Sequence, residues 1–91
     1  MAYPTFLKDP DATLDFGFDW NEWLASTETI LTAVWTVPSG ITKSSQIETD
    51  GYTTVWLSSG TVNTDYNLTC RITTSDGRID DRTMTIKVRS R

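Results

Sequence analysis

The chain lacks several residue types and segments on which common protein functions depend. It has no histidine, so neither a Ser-His nor a Cys-His pair is available for nucleophilic catalysis. Its one cysteine, Cys70, excludes a disulfide within the chain. No run approaches the roughly 20 apolar residues of a membrane-spanning helix, and residues 1–11 lack the basic segment and apolar run of a secretion signal. We therefore expect a non-enzymatic protein that is made and kept in a cytoplasm or assembled there.

Basic residues are scarce in the first half of the chain. Residues 1–50 carry two basic and eight acidic side chains, a net charge of −6, whereas residues 51–91 carry six basic and four acidic side chains, a net charge of +2. Nucleic-acid binding needs a basic stripe, so the overall charge of −4 argues against a nucleic-acid partner. A dipolar chain can stack head to tail or dock on a charged partner. The alternative is a chance distribution of surface charges without a binding role.

Acidic side chains gather near the N-terminus without forming a known metal-binding sequence. Asp9, Asp11, Asp15 and Asp19 are hard oxygen donors within a short span. A helix-flanked calcium loop needs a bidentate glutamate at its twelfth position, which counted from Asp9 is Trp20. Roles in turns and caps are therefore favoured, and calcium bound at a loop edge stays an alternative. We predict no metal site and no cofactor.

Residues 14–24, with the sequence LDFGFDWNEWL, hold four of the ten aromatic residues of the chain. Alternate positions divide this stretch into an apolar side, formed by Leu14, Phe16, Phe18 and Trp20, and a side formed by Asp15, Gly17, Asp19 and Asn21. The alternation predicts a β-strand with one buried face. So many aromatic rings on one face require a large apolar surface to pack against.

Further strand patterns follow along the chain, separated by turn sequences. After a first strand at residues 13–20, the predicted strands are residues 27–37, 41–48, 52–58, 66–73 and 83–89. Both faces of residues 27–37 carry apolar groups, which favours a central position in a sheet. The pairs Asp50-Gly51 and Asp76-Gly77 are tight-turn signals. The seventeen threonines lie mostly in these segments and suit a pleated, half-exposed surface.

These patterns indicate an all-β protein, an immunoglobulin-like antiparallel β-sandwich of about six to seven strands. We expect an N-terminal arm over residues 1–12 and the sandwich over residues 13–91. Tyr66 lies roughly where such sandwiches place a corner tyrosine, whose hydroxyl bonds back to the backbone. The predicted core comprises Phe16, Phe18, Trp35, Val55, Leu57, Tyr66, Leu68, Cys70, Ile72, Met84, Ile86 and Val88.

Large apolar side chains outside this core are candidates for contacts with other proteins. Phe6 lies in the predicted arm, Trp23 in a bend and Trp56 on the polar face of its strand. Trp20 ends the first strand, where core and interface placements are both open. Because tryptophan is enriched at the buried centres of interfaces, we predict contacts with neighbouring chains at Phe6, Trp20, Trp23 and Trp56. The alternative is a tryptophan covered by its own loop.

Several segments resemble small tailed-phage structural proteins described as fiber–tail adaptors. The resemblance is carried by Phe6-Leu7-Lys8-Asp9-Pro10-Asp11, by Leu14-Asp15-Phe16-Gly17-Phe18-Asp19-Trp20, by Trp23-Leu24, and further by Thr29-Ile30, Trp35, and residues 53–61 and 71–78. It implies an immunoglobulin-like virion component that is present in several copies around the tail or neck and holds fibres or other appendages. The resemblance brings no catalytic residues with it.

Residues and resemblance together predict a non-enzymatic bacteriophage structural protein that acts as an adaptor at the tail or neck. Its expected partners are other virion proteins, namely a tail or neck ring and a fibre, with no nucleic-acid or membrane partner. Its expected location is the virion, after assembly in the host cytoplasm. Two alternatives stay open: a capsid decoration protein of similar fold, and a carbohydrate-binding β-sandwich in which Trp23 or Trp56 stacks on a sugar.

Overall fold

Seven β-strands in two sheets make up the computed structural model, which describes residues 3–90. The strands are β1 (Thr5–Lys8), β2 (Leu14–Asp19), β3 (Ile30–Thr36), β4 (Ile41–Thr49), β5 (Tyr52–Ser59), β6 (Thr64–Thr74) and β7 (Ile79–Val88). The larger sheet has the order β1-β7-β6-β3, and the smaller sheet has the order β2-β5-β4. The prediction of an all-β sandwich is confirmed.

The distribution of strands favours the predicted immunoglobulin-like order. In a constant-type immunoglobulin sandwich, one sheet holds the first, second, fifth and fourth strands, and the other sheet holds the third, sixth and seventh. Here the second, fifth and fourth strands also share a sheet, but the first strand lies parallel to the seventh in the larger sheet. Within residues 3–90, the position beside β2 in the smaller sheet is therefore open. The immunoglobulin-like assignment itself stays a prediction.

Alternate side chains of β5, β6 and β7 fill the space between the sheets. No exposed surface is left on Val55, Leu57, Leu68, Cys70, Ile72, Met84, Ile86 and Val88. Phe18, Trp35 and Tyr66 are buried as well. Phe16 is only half-buried against this core, because its strand β2 lies at the edge of its sheet.

The corner tyrosine is present. The hydroxyl of Tyr66 accepts a hydrogen bond from the backbone amide of Thr61, with a donor–acceptor distance of 2.9 Å. Hydrogen bonding by the side chain and the backbone of Thr61 lowers the pKa of the Tyr66 phenol. The predicted bond between this side chain and the upstream backbone is therefore confirmed, and it ties the loop after β5 to the start of β6.

The prediction that residues 27–37 form a central strand is wrong. β3 is an edge strand, which among the described residues pairs only with β6. A register shift between Ile30 and Thr32 turns Ile30 into the core, while Leu31 and Val34 are left 63% and 57% exposed. The apolar groups on both faces therefore reflect a bulge at a sheet edge, and not burial on both faces.

The sandwich begins before residue 13. β1 lies within the predicted arm of residues 1–12 and pairs with β7, from Thr5 opposite Thr85 to Lys8 opposite Val88. Lys8 is fully buried, and its Nζ donates to the carbonyls of Asp9 (2.9 Å) and Ser59 (2.6 Å). Burial lowers the pKa of this amine. The sequence did not indicate β1, because the strand has only four residues and its inward-facing position is a lysine. Residues 1, 2 and 91 lie outside the described part of the chain.

Candidate interaction surface

Trp20 lies in the core, which corrects its prediction as a contact residue. The side chain has no exposed surface, and its Nε1 donates to Thr53 Oγ1 at 3.0 Å. The loop that follows covers the ring, because Trp23 packs edge-on against it with a centroid distance of 5.7 Å. The guanidinium of Arg82 lies 4.1 Å from the ring centroid. Folded in this way, Trp20 offers no surface to a partner.

Trp23 is half-buried, and its own chain covers one face of the ring. The guanidinium of Arg78 lies 3.9 Å from the ring centroid, a cation–π arrangement. An Nη2 of the same arginine donates to the Trp23 carbonyl at 3.2 Å. The two tryptophans of this loop thus pack edge to face, with one arginine over each ring. Only the remaining exposed part of Trp23 is available to a partner.

A buried carboxylate holds this loop in place. Glu28 Oε1 accepts the Ala25 amide at 3.0 Å, and both carboxylate oxygens accept hydrogen bonds from the Arg78 guanidinium. The Thr74 hydroxyl donates to Oε2. These bonds, with Arg78 first, lower the pKa of Glu28 to about 2. Sequence analysis missed the pair, since the two residues are 50 positions apart and carry no local signal.

The outer surface of the three-stranded sheet, called here the smaller-sheet face, combines apolar and acidic side chains. Its three cross-strand rows are Asp15, Trp56 and Ser45; Gly17, Thr54 and Ile47; and Asp19, Tyr52 and Thr49. Tyr52 and Ile47 are about half exposed, and Trp56 is partly buried. Among the described residues, no cation lies within ion-pairing distance of Asp15 or Asp19. The face therefore presents both apolar area and unpaired negative charge.

The outer surface of the four-stranded sheet, called here the larger-sheet face, is dominated by threonine. Its cross-strand neighbours include Thr32 with Thr73, Thr69 with Thr36 and Thr83, and Thr5 with Thr85. The hydroxyls of Thr69 and Thr83 lie 2.9 Å apart and bond to each other. Arg71 forms an ion pair with Asp81 on this face, with an N–O distance of 2.8 Å. Arg71 and Asp81 neutralise each other here, whereas Asp15 and Asp19 on the smaller-sheet face form no ion pair among the described residues. The smaller-sheet face is therefore the stronger candidate for binding a charged partner.

Phe6 closes the side of the sandwich where β1 and β2 face each other. Its ring lies 5.5 Å from that of Phe16, measured between centroids. Phe6 and Leu14 each keep 36% of their surface exposed. This side therefore carries an apolar strip that adjoins the smaller-sheet face.

Comparison with protein families identifies the family of the chain. Residues 8–87 match the family described as podophage GP4 fiber-tail adaptor protein gp77. The chain belongs to this family. Comparison with curated proteins found no match. The resemblance noted in the sequence is thereby confirmed, and as a member of the fiber-tail adaptor family the chain is a structural component of a phage virion.

The described residues of this adaptor-family chain give little support to a metal site, a reactive thiol or a membrane-spanning helix. Among residues 3–90, no three or more Asp, Glu or Cys side chains are grouped so that they could hold a metal ion. Cys70 is buried, and burial raises the pKa of its thiol, so a nucleophilic thiolate is disfavoured. The same residues include no helix of the length and apolar character needed to cross a membrane.

Proposed function

We propose that this chain is a non-enzymatic adaptor at the tail or neck of a phage, where it attaches fibres or other appendages. Its partners are a tail or neck ring and a fibre, with several copies in each particle and without a nucleic-acid or membrane partner. Assembly takes place in the host cytoplasm. The observation that carries the proposal is one sandwich face with exposed apolar groups and unpaired carboxylates, in a chain of the fiber-tail adaptor family.

The mechanism we infer is rigid presentation of two adjoining surfaces. The buried core fixes the smaller-sheet face relative to the apolar strip at Phe6, so that both surfaces keep one orientation in the particle. Interfaces place aromatic anchors at the centre and polar groups at the rim, which matches Trp56 beside Asp15 on the smaller-sheet face. Trp23 contributes through the part of its ring that Arg78 leaves uncovered.

Substitution at Trp56 tests the contact directly. We expect Trp56→Ala to fold, because the side chain faces outward, and to lower the occupancy of the protein in purified particles by about tenfold or more, as for an aromatic anchor. Ile79→Ala is the matched control, since this side chain is 63% exposed on the opposite sheet. Wild-type occupancy of a folded Trp56→Ala protein would remove Trp56 from the interface.

Copy number tests the location. Quantitative mass spectrometry of purified virions gives the ratio of this chain to the portal and major capsid proteins. A count that follows the portal protein supports an adaptor at the neck or tail. A count that follows the capsid protein would mean a decoration protein, and the adaptor proposal would be wrong even though the fold and family stand.

A further inference from the structure

Three of the four edge strands carry features that discourage pairing with another strand. β1 has only four residues, follows Pro4 and directs the charged Lys8 inward. Short strands, prolines and inward-pointing charges all protect sheet edges in natural proteins. The edge at β1 is therefore poorly suited to accept a further strand.

Bulges protect the two edges on the opposite side of the sandwich. β3 has its register shift between Ile30 and Thr32, and the side-chain amide of Gln46 donates to the carbonyl of Ala33 at 3.0 Å. β4 has a register shift after Lys43. A bulge interrupts the regular ladder of donors and acceptors that an incoming strand needs.

β2 is less protected than the other three edge strands, since a side chain bonds its backbone only at its C-terminal end, where Arg82 donates to the Asp19 carbonyl. All six residues pair with β5 without a register shift, from Leu14 opposite Leu57 to Asp19 opposite Tyr52. The strand contains no proline, lysine or arginine. Alternate backbone N–H and C=O groups of an edge strand point away from its neighbour, so those of β2 face the open position in the smaller sheet. The Asp19 carbonyl already accepts a hydrogen bond from Arg82 Nη1 at 2.9 Å. The regular, accessible part of this ladder therefore lies at Asp15 and Gly17.

The side chains that flank this edge define what could pair with it. On the outer face, Asp15 and Asp19 are exposed and have no cation partner among the described residues. On the inner face, Leu14 and the neighbouring Phe6 are each 36% exposed, and Phe16 is half-buried. An added strand would therefore meet negative charge on one face and uncovered apolar surface on the other.

The same charges disfavour a second copy of β2 as the occupant. Antiparallel pairing of two β2 strands centred on Gly17 would place Asp15 of each copy opposite Asp19 of the other. Like charges directly opposite each other destabilise a cross-strand pair. The charges at this edge thus select for a partner of a different sequence, with basic groups facing the aspartates.

We propose that the edge of β2 accepts an extended segment of another virion protein, in which lysine or arginine alternates with apolar residues. The segment becomes the fourth strand of the smaller sheet. Its backbone pairs with β2, its basic side chains pair with Asp15 and Asp19, and its apolar side chains cover Phe6, Leu14 and Phe16. The inference rests on the proposed adaptor function for the source of the segment, whereas the edge itself is a property of the fold.

Nuclear magnetic resonance of the isotope-labelled full chain tests this edge. The probe is an end-capped eight-residue peptide of alternating lysine and valine. We expect chemical-shift changes centred on residues 14–19 and slower hydrogen exchange of the β2 amides that face the open position. A matched peptide with glutamate in place of lysine is expected to bind at least about tenfold more weakly at low salt.

Two further comparisons separate strand addition from attraction between charges. A lysine–valine peptide in which proline replaces the two central lysines, with two lysines added at its ends, keeps the charge but loses backbone donors opposite β2. Its binding is therefore expected to disappear. Asp15→Asn/Asp19→Asn is expected to weaken binding of the lysine–valine peptide roughly threefold to tenfold. Asparagine keeps the side-chain oxygen at residue 19 that accepts the Asn21 amide. The control Glu48→Gln/Asp76→Asn removes the same charge elsewhere and is expected to bind like the unaltered chain.

Equal binding of the proline peptide, or shift changes away from residues 14–19, would overturn the proposal. So would the absence of any shift change at millimolar concentrations of the lysine–valine peptide. The adaptor function is tested separately by occupancy in particles. If the protein assembles into particles normally but the peptide causes no shift change at β2, only this inference is wrong. If the peptide binds at β2 but the protein is missing from virions, the adaptor proposal is wrong.

Discussion

The side chain of Glu28 fixes the loop that carries Trp20 and Trp23 to the neighbouring strands. Its carboxylate is buried, and Arg78, Ala25 and Thr74 together supply its hydrogen bonds. A buried carboxylate is tolerated because a cation and several donors meet it in the same place. Loss of the charge therefore leaves the half-exposed Arg78 without its partner.

We predict that Glu28→Gln lowers the melting temperature at neutral pH by several degrees, because the amide keeps the shape but not the charge. The folded pKa of Glu28 is about 2, below its ordinary value of 4.5. The stabilisation is thus complete above about pH 4.5 and is lost as the pH falls from there to about 2.

Melting curves of both proteins across this pH range check the prediction. The gap between them should narrow below about pH 4.5 and close near the folded pKa of about 2. Asp65→Asn is the control, because its ion pair with Arg89 is partly exposed and should matter little. A constant gap at every pH would contradict the assignment of the effect to this carboxylate.

Gly51 and Gly77 have nearly equal φ angles but differ in the space around them. Substituting each of them therefore separates the cost of backbone strain from the cost of a steric clash. Gly51 has φ +83° and Gly77 has φ +84°. A Cβ on Gly51 would collide with Asn21 Oδ1, whereas a Cβ on Gly77 would meet nothing within 4 Å. Asn21 is held in place by bonds to Asp19 and to the Asp50 carbonyl.

We therefore predict that Gly77→Ala costs about 1 kcal/mol, from the left-handed backbone alone. Gly51→Ala should cost roughly 1–2 kcal/mol more, because Asn21 must move and lose its bonds. Urea unfolding followed by tryptophan fluorescence measures both free energies of unfolding. Equal losses would show that Asn21 yields without cost.

At the level of elements, β5 joins the smaller sheet to the core. It lies between β2 and β4, and its Thr53 is fully buried on the inner face. Thr53 Oγ1 accepts the indole N–H of Trp20 at 3.0 Å and lies 3.5 Å from Cys70 Sγ on the opposite sheet. This hydroxyl thus gives the buried indole of Trp20 its hydrogen-bond partner.

We predict that Thr53→Val destabilises the fold by about 1–3 kcal/mol, because a buried indole N–H is left without an acceptor. Thr73→Val is the control on the outer face of β6, where the change should stay within about 0.5 kcal/mol. Chemical denaturation of the two variants gives the comparison. Similar losses in both would mean that the bond to Trp20 contributes little.

In the molecule as a whole, central and edge strands differ in how many of their backbone groups are paired. β5, β6 and β7 have strand neighbours on both sides over at least part of their length, whereas β1, β2, β3 and β4 each have one among the described residues. Hydrogen exchange is slowest where opening requires global unfolding. The central strands are therefore expected to be the most stable part of the molecule, and among the edges β2 is the least protected.

We predict that the slowest-exchanging amides belong to β5, β6 and the half of β7 that pairs with β1. Along β2, protected and fast-exchanging amides should alternate, since only every second residue bonds to β5. Residue-resolved hydrogen exchange of the free chain provides the test. Uniform protection along β2 would show that its open side is covered in solution.

Local regularities of the sequence account for much of the fold. The alternation in residues 14–20, 52–58, 66–73 and 83–89 predicted strands that the structure contains, because a period of two assigns side chains to opposite faces whatever the neighbour. Asp50 and Gly51 both adopt positive φ angles, 51° and 83°, as a tight hairpin turn requires. Residue inventory likewise argued against common catalytic pairs before any geometry was known.

Residues distant in the chain settled the remaining features. The covering of Trp20, the meeting of Glu28 with Arg78 and the pairing of β1 with β7 depend on segments that have no local signature of one another. The edge position of β3 and the open side of β2 likewise follow from strand order. Periodicity states which side chains share a face, but only long-range pairing states what lies opposite that face, and therefore which surfaces remain for a partner.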